Sequence, residues 1–167
     1  NSLLKLVDSK VDGSVIRSRS QAIGYFLKKG LQEQSVSTAV LLLKGEHQAF
    51  ALKKIKGASL LKQQIEFFSK HGIRIVYIVT QHTKNMNLLL DEISDAKISV
   101  EIIEKQSKGN ADALRAIKEK VSNSFVVMSG DTYNDFDILK MIKKHIDSEK
   151  LATMGLMTRE KTHSYGT

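Results

Sequence analysis

The sequence predicts an α/β fold: a mostly parallel, doubly wound sheet preceded by a small unit of two helices. Three observations carry this. From residue 38 onward, short apolar runs alternate with amphipathic stretches, the pattern of successive βα steps. The connections between them are only a few residues long, which suits right-handed crossovers that bring every strand C-terminus to one edge. Residues 1–35 break the alternation, with apolar residues at helical spacing only.

Thr38–Leu43 is a short Val/Leu run and reads as the first strand. Ser59–Lys70 places Leu60, Leu61, Gln64, Ile65 and Phe68 on one helical face. Arg74–Thr80 is rich in Ile, Val and Tyr and reads as a buried strand. Asn85–Ile93 reads as a helix and Ser99–Glu104 as a third strand. Ala111–Val121 presents Ala111, Leu114, Ile117 and Val121 on one helical face. Ser124–Ser129 is a fourth strand, Phe136–Ile146 a helix capped by Asp135, and Leu151–Met157 a fifth strand.

In the first 35 residues, Leu3, Leu4, Val7 and Val11 line one helix. Gly13 ends it. Ser18-Arg19-Ser20-Gln21 has capping-box spacing: the Ser18 hydroxyl takes the N3 amide while Gln21 reaches back. The second helix carries Ile23, Phe26, Leu27 and Leu31 on one face. Two such helices hold too little core to stand alone. They must pack on the larger domain or on a second copy.

Composition removes several classes. The 167 residues include no Cys, which excludes a disulfide framework, a thiolate metal site and a Cys nucleophile. There is also no Pro, where average usage predicts about eight. The longest unbroken apolar run, Ala39–Leu43, is far short of a membrane span. A soluble cytoplasmic protein with no membrane partner is expected. The chain starts at Asn1 rather than Met, as a fragment would. Lys+Arg number 26 against 18 Asp+Glu, a net charge of +8. Part of the excess sits in Lys44–Lys62, with five lysines against Glu46. Such a cluster either attracts phosphate or is a solvated lysine face.

The phrase Phe125-Val-Val-Met-Ser-Gly-Asp131 is the most informative in the chain. A buried strand delivers a carboxylate to the edge of the sheet where ligands bind, and Gly130 allows a tight turn. Upstream come Ala39-Val-Leu-Leu-Leu43, Gly57-Ala58-Ser59-Leu60-Leu61, His71-Gly72-Ile73 and Gly109-Asn110-Ala111-Asp112-Ala113-Leu114. Downstream come Leu151-Ala-Thr-Met-Gly-Leu156 and Tyr165-Gly166. This ordered set resembles the sugar-phosphate nucleotidyltransferase (NDP-sugar pyrophosphorylase) family, from about Thr38 to the end. The resemblance implies a Rossmann-like, mostly parallel sheet of the nucleotidyltransferase type over 36–167. It implies a nucleoside triphosphate or sugar nucleotide as ligand, and Mg²⁺ held by Asp131. It places Gly109 and Ala111 beside the nucleobase, with Leu43, Gly45, Gln81, Glu104 and Gly130 as further nucleotide contacts. The first loop, Lys44–Leu52, holds one glycine and no arginine. No lysine there matches the family's catalytic one, and Lys44 and Lys53 are the candidates nearby. Family members place a second metal carboxylate and their sugar-binding residues further along than Thr167.

The N-terminal unit, residues 1–35, resembles the helical part of a ribbon-helix-helix (CopG/MetJ-like) DNA-binding module. The matching residues are Leu3–Val11, Gly13 and Arg17-Ser18-Arg19-Ser20-Gln21-Ala22-Ile23 running into Tyr25–Leu31. The resemblance implies phosphate contacts from Arg17, Ser18, Arg19 and Ser20, and a homodimer formed through the two helices. Three functions follow as expectations. One is a nucleotidyltransferase of NDP-sugar pyrophosphorylase type. The second is a DNA-binding regulator sensing a nucleotide. The third is a pseudoenzyme whose helices only dimerise it.

Overall fold

The computed structural model of the chain describes residues 2–156. Its centre is a four-stranded, all-parallel sheet of β1 (Thr38–Leu42), β4 (Ile75–Thr80), β5 (Ser99–Glu104) and β6 (Val126–Ser129). The spatial order is β5-β4-β1-β6. The chain therefore builds outward from β1 in one direction, then returns to its other side for β6. That reversal is the topological switch point at which such sheets take ligands.

β1 is central, and Ala39, Val40 and Leu41 are fully buried, as both of its faces are covered. One face carries the main core. There α4 (Leu60–Lys70), α5 (Met86–Ile93) and α7 (Ile138–Ser148) supply Leu61, Phe68, Leu89 and Ile138 against Leu41, Val76 and Ile78. The opposite face is thinner: Val40, Tyr77 and Val79 are covered by Ala113 and Ile117. All five residues whose spacing marks helix α4 (Leu60, Leu61, Gln64, Ile65, Phe68) are buried. The Ser59 hydroxyl caps α4 by accepting the Lys62 amide at 3.1 Å. Its other end is a Schellman motif, with the Ile73 amide on Phe68 O and the Gly72 amide on Ser69 O. Gly72 sits at φ 84°, where a side chain is strained. Gly72→Val is expected to lower stability by about 1–2 kcal/mol, read as a shift in the urea midpoint.

Between β1 and α4 the chain forms a short helical stretch, Gly45–His47 followed by α3 (Gln48–Ala51), then a hairpin of β2 (Lys54–Ile55) and β3 (Ala58–Ser59) turning at Lys56-Gly57.

Several elements depart from the sequence reading. The helix expected over Ala111–Val121 is α6 (Asn110–Leu114) followed by a 3-10 turn, Arg115–Ile117. Its buried positions are Ala113 and Ile117, while Ala111 faces solvent. The cap of α7 is Asp137, not Asp135: its carboxylate accepts the Lys140 amide at 2.9 Å. Leu151–Leu156 forms no strand. Nothing in the described residues pairs with it, and an apolar run becomes a strand only where a ladder and a buried face await it. Met157 and the Tyr165-Gly166 pair lie outside the described residues.

The N-terminal unit forms α1 (Ser2–Asp8) and α2 (Arg19–Ser35). The first helix stops before Val11 because Asp12 folds the chain back, its Oδ1 accepting the amides of Ser14, Val15 and Ile16. Those amides hold the Asp12 carboxyl below the usual range. Ser18 caps α2 as expected, with Gln21 reaching back to the Arg17 amide at 2.7 Å. α2 lies on α7, fastened by Lys29 to Asp147 at 2.5 Å, with Lys29 also 4.9 Å from the centre of the Tyr25 ring. The unit thus packs on the larger domain.

Candidate functional site

The register at the switch point brings two loops together. Leu42 is level with Ser129, and the Gly130 amide donates to Leu42 O at 2.8 Å. The segments leaving β1 and β6 therefore emerge side by side at the C-terminal edge. The turn is tight: a Cβ on Gly130 would stand 3.0 Å from the Leu43 Cβ. Asp131 is thus presented at the mouth of the crevice, partly buried.

Its carboxylate is fully engaged. Oδ2 lies 2.5 Å from His47 Nδ1, while Oδ1 accepts from the Ser129 hydroxyl at 2.5 Å and the Thr132 hydroxyl at 3.2 Å. Burial pushes the Asp131 carboxyl up, but the hydrogen bonds from Ser129, His47 and Thr132 outweigh it and leave it below the usual carboxylate range. At neutral pH Asp131 is ionised. His47 reaches Glu46 with its other ring nitrogen, at 3.6 Å. It also rests edge-on against Phe50.

The opposite wall is built by a network that anchors the first loop to the end of β4. Gln48 is wholly buried. Its amide donates to Thr80 Oγ1 at 2.9 Å and Gln81 O at 2.7 Å, and its carbonyl accepts from the Thr83 hydroxyl. The Gly45 amide donates to the Gln81 side-chain oxygen. A Cβ on Gly45 would sit 2.8 Å from that oxygen and 3.0 Å from Thr83 Cγ2, so a larger residue there displaces the Gln81 side chain. Behind the other wall, Gln64 donates to Ser129 O at 2.9 Å and Thr132 O at 2.7 Å, which fixes the Gly130-Asp131 turn. Gln48→Leu takes a partner from buried Thr80 Oγ1 and from the half-buried Gln81 carbonyl and Thr83 hydroxyl. It is expected to cost about 1–3 kcal/mol, visible in chemical denaturation.

Beside these loops is a cleft of about 330 Å³ lined by Lys44, Gly45, Glu46, Gln81, Thr83 and Gln106. Of the residues expected from sequence, Lys44, Gly45 and Gln81 line this cleft. Gly130 and Asp131 lie at the adjoining turn, and Leu43 is buried beneath it. Glu104, at the end of β5, is exposed and accepts from His82 at 2.9 Å. Gly109 precedes α6 in extended backbone, with open space where its side chain would be, and Ala111 is on the exposed side of that helix. Lys53 is solvent-exposed beyond α3 and does not line the cleft. The DNA-contact candidates are elsewhere. Arg19 makes a two-pronged pair with Asp8 at 2.7 and 2.8 Å, and Arg17 Nε donates to Ser14 O at 3.1 Å. Both arginines are solvent-exposed. Ser18 is occupied as the α2 cap, and Ser20 lies in its first turn.

His47, Gln48 and Gln64 are site residues that sequence reasoning missed. His47 carried no motif. Its one signal was position, a step along the loop that β1–β6 adjacency places opposite Asp131.

The donor set suits a divalent cation in one way. Among the described residues no three His, Cys, Asp or Glu side chains converge on a metal position. Asp131 supplies one carboxylate, and Mg²⁺ is commonly held by one or two carboxylates together with substrate phosphates. Asp131 would hold an ion that arrives with a triphosphate, once His47 yields Oδ2. Such an ion would neutralise phosphate charge.

Residues 44–167 match the nucleotidyl transferase family. The chain belongs to that family. A solved structure, UDP-glucose pyrophosphorylase complexed with UDP-glucose, is similar at 17% identity, covering 68% of this chain and 53% of that one, with a TM-score of 0.47. The chain thus spans about half of that structure's length. No curated protein matches the sequence. Among the described residues no helix is long and apolar enough to cross a membrane.

Proposed function

We propose that this nucleotidyl transferase domain binds a nucleoside triphosphate or sugar nucleotide across its switch point. The reading rests on one observation above the rest: the β1–β6 register sets the loop of Lys44, Gly45 and His47 against the Asp131 turn. The base would lie toward Gln81, Gly109 and Ala111, and the phosphates between Lys44 and Asp131.

The chemistry proposed is nucleotidyl transfer of the NDP-sugar pyrophosphorylase kind. An oxygen of a sugar phosphate attacks the α-phosphorus, the bond to the β-phosphate oxygen breaks, and pyrophosphate leaves with that electron pair. Catalysis of this step is positioning and charge cancellation. In this loop Lys44 supplies cationic charge, with no arginine between Lys44 and Leu52. Lys53, turned to solvent, is the weaker candidate for that work.

Titration calorimetry of the chain with each nucleoside triphosphate, with and without Mg²⁺, tests binding. Saturable, Mg²⁺-dependent heat for at least one nucleotide is expected. Silence with all four overturns the reading. Pyrophosphate release in the presence of sugar 1-phosphates tests the transfer step separately. The DNA-contact role of Arg17–Ser20 forms no part of this proposal.

A further inference from the structure

A cavity of about 420 Å³ lies between α2 and the C-terminal end of α7. Asn123 and Ser124, which lead into β6, form its third side. They stand before the N-terminal end of β6, so the cavity and Asp131 are at opposite ends of one strand. The volume is in the range of small-molecule sites. Among the described residues Ile146 is the one aliphatic side chain in the wall, so apolar burial offers little there. Charge dominates instead. Lys28 and Lys29 come from α2 and Lys150 from the end of α7, against one carboxylate in the wall, Glu149. Lys29 is already bonded to Asp147. That bond first, and then the charges of Lys143 and Lys10, hold the Asp147 carboxyl below its usual range. Around the cavity and Asp147, five lysines thus meet two carboxylates. The α7 C-terminus adds a partial negative charge of about half a unit, which leaves the balance positive. Among the described residues neither Lys28 nor Lys150 makes an ion pair.

We propose that this cavity is a second ligand site, one that takes a phosphate group between Lys28 and Lys150. Ammonium-to-phosphate hydrogen bonds are charge-assisted, roughly twice as strong as neutral ones. An uncharged donor stands beside them. Ser124 Oγ is 3.4 Å from His145 Nε2, long for a hydroxyl, so it is free to turn to a phosphate oxygen. The imidazole stays braced on its other side, with Nδ1 3.0 Å from Thr153 Oγ1. The volume suits a phosphate carried on a small molecule, and free phosphate fits the same donors. Glu149 opposes either one and keeps the affinity modest. A ligand held by both lysines ties α2 to α7, where Lys29–Asp147 is the ion pair that spans the two helices. Such a ligand stabilises the packing of the N-terminal helices on the larger domain. This inference is independent of the nucleotide reading, since it uses no residue of the Asp131 crevice.

The test is an amide NMR titration of the isotope-labelled full chain. The titrants are sodium phosphate and, separately, a sugar 1-phosphate, each against sodium chloride at matched ionic strength. Saturable shifts at Lys28, Ser124 and Lys150, half complete below about 1 mM, are expected with phosphate and not with chloride. Tighter binding of the sugar phosphate identifies a phosphorylated small molecule as the ligand, and equal affinity identifies free phosphate. Lys28→Glu combined with Lys150→Glu should weaken binding about tenfold or more. Glu149→Gln keeps the shape and removes the opposing charge, so it should strengthen binding roughly twofold to fivefold. That variant decides the matter alone if the double glutamate fails to fold. Shifts that chloride reproduces, an adventitious ion only, overturn the proposal. So do shifts confined to Gly45 and Gly130 at the other end of the sheet, and so does a phosphate affinity unchanged in the variants.

Discussion

Asp131→Ala is expected to reduce Mg²⁺-dependent nucleotide affinity at least tenfold, about 1.4 kcal/mol or more. The wild-type carboxylate is ionised and held in place by three donors, Ser129, Thr132 and His47. Removing it takes away the one carboxylate at the turn and leaves the His47 ring without its partner there. Asp131→Asn separates the two effects, because the amide keeps the size and an acceptor oxygen while losing the charge. If charge carries the function, both variants lose the Mg²⁺ dependence and only the alanine loosens the turn. Calorimetric titrations at several Mg²⁺ concentrations read this directly, and Mg²⁺ dependence unchanged in Asp131→Asn would refute the assignment. The sign with pH follows. The folded pKa is depressed, so the contribution of Asp131 is present above the ordinary carboxylate value near 3.8 and is lost as pH falls through the folded one.

Phe68→Ala is expected to cost about 3–5 kcal/mol, out of a total that for domains is about 5–15 kcal/mol. Among the described residues Phe68 is the largest fully buried side chain, and it sits in the main core with Leu41, Leu61 and Ile78. Its backbone also anchors the Schellman turn that closes α4. Neighbours can relax only partly into a space of that size, so the transfer and cavity terms add. Equilibrium urea unfolding should show a large fall in midpoint with little change in slope. A loss below 1 kcal/mol would show that the site collapses freely, contrary to the packing described.

Much of this was legible in the sequence because the physics involved is local. The β5 bounds follow from a Val/Ile run between turn residues, and α4 follows from five apolar or amide residues at helical spacing. The Ser18 cap is a local rule obeyed locally. What could not be read depends on contacts far apart in the chain. His47 and Asp131 are 84 residues apart, and only the pairing of β1 with β6 brings them together. Gln48 looked like an ordinary polar loop residue, yet it is buried among Thr80, Gln81 and Thr83. Leu151–Leu156 shows the reverse error: an apolar run with strand-forming residues and, among the described residues, no neighbour to complete it. In α2 the periodicity was read correctly. The side of the helix that would be buried was not, because periodicity gives a stripe and not its partner.

The Gln81–Gly45 contact has a consequence for how a ligand would enter. The loop amide already holds an acceptor oxygen of its own chain, and Asp131 already holds a donor. On the proposed reading, occupancy would be an exchange rather than a capture: an incoming phosphate oxygen would displace the Gln81 side-chain oxygen, and a cation would displace the imidazole. At Gly45 the swap would trade one hydrogen bond for another, with a small net yield of about 0.5–1.5 kcal/mol, whereas at Asp131 a hydrogen bond would give way to an ionic contact. The Gly45 amide and the Asp131 carboxylate are thus both paired within the chain. Selectivity then falls to whatever can make both evictions together, as an anion and its counter-cation do when they arrive as one complex.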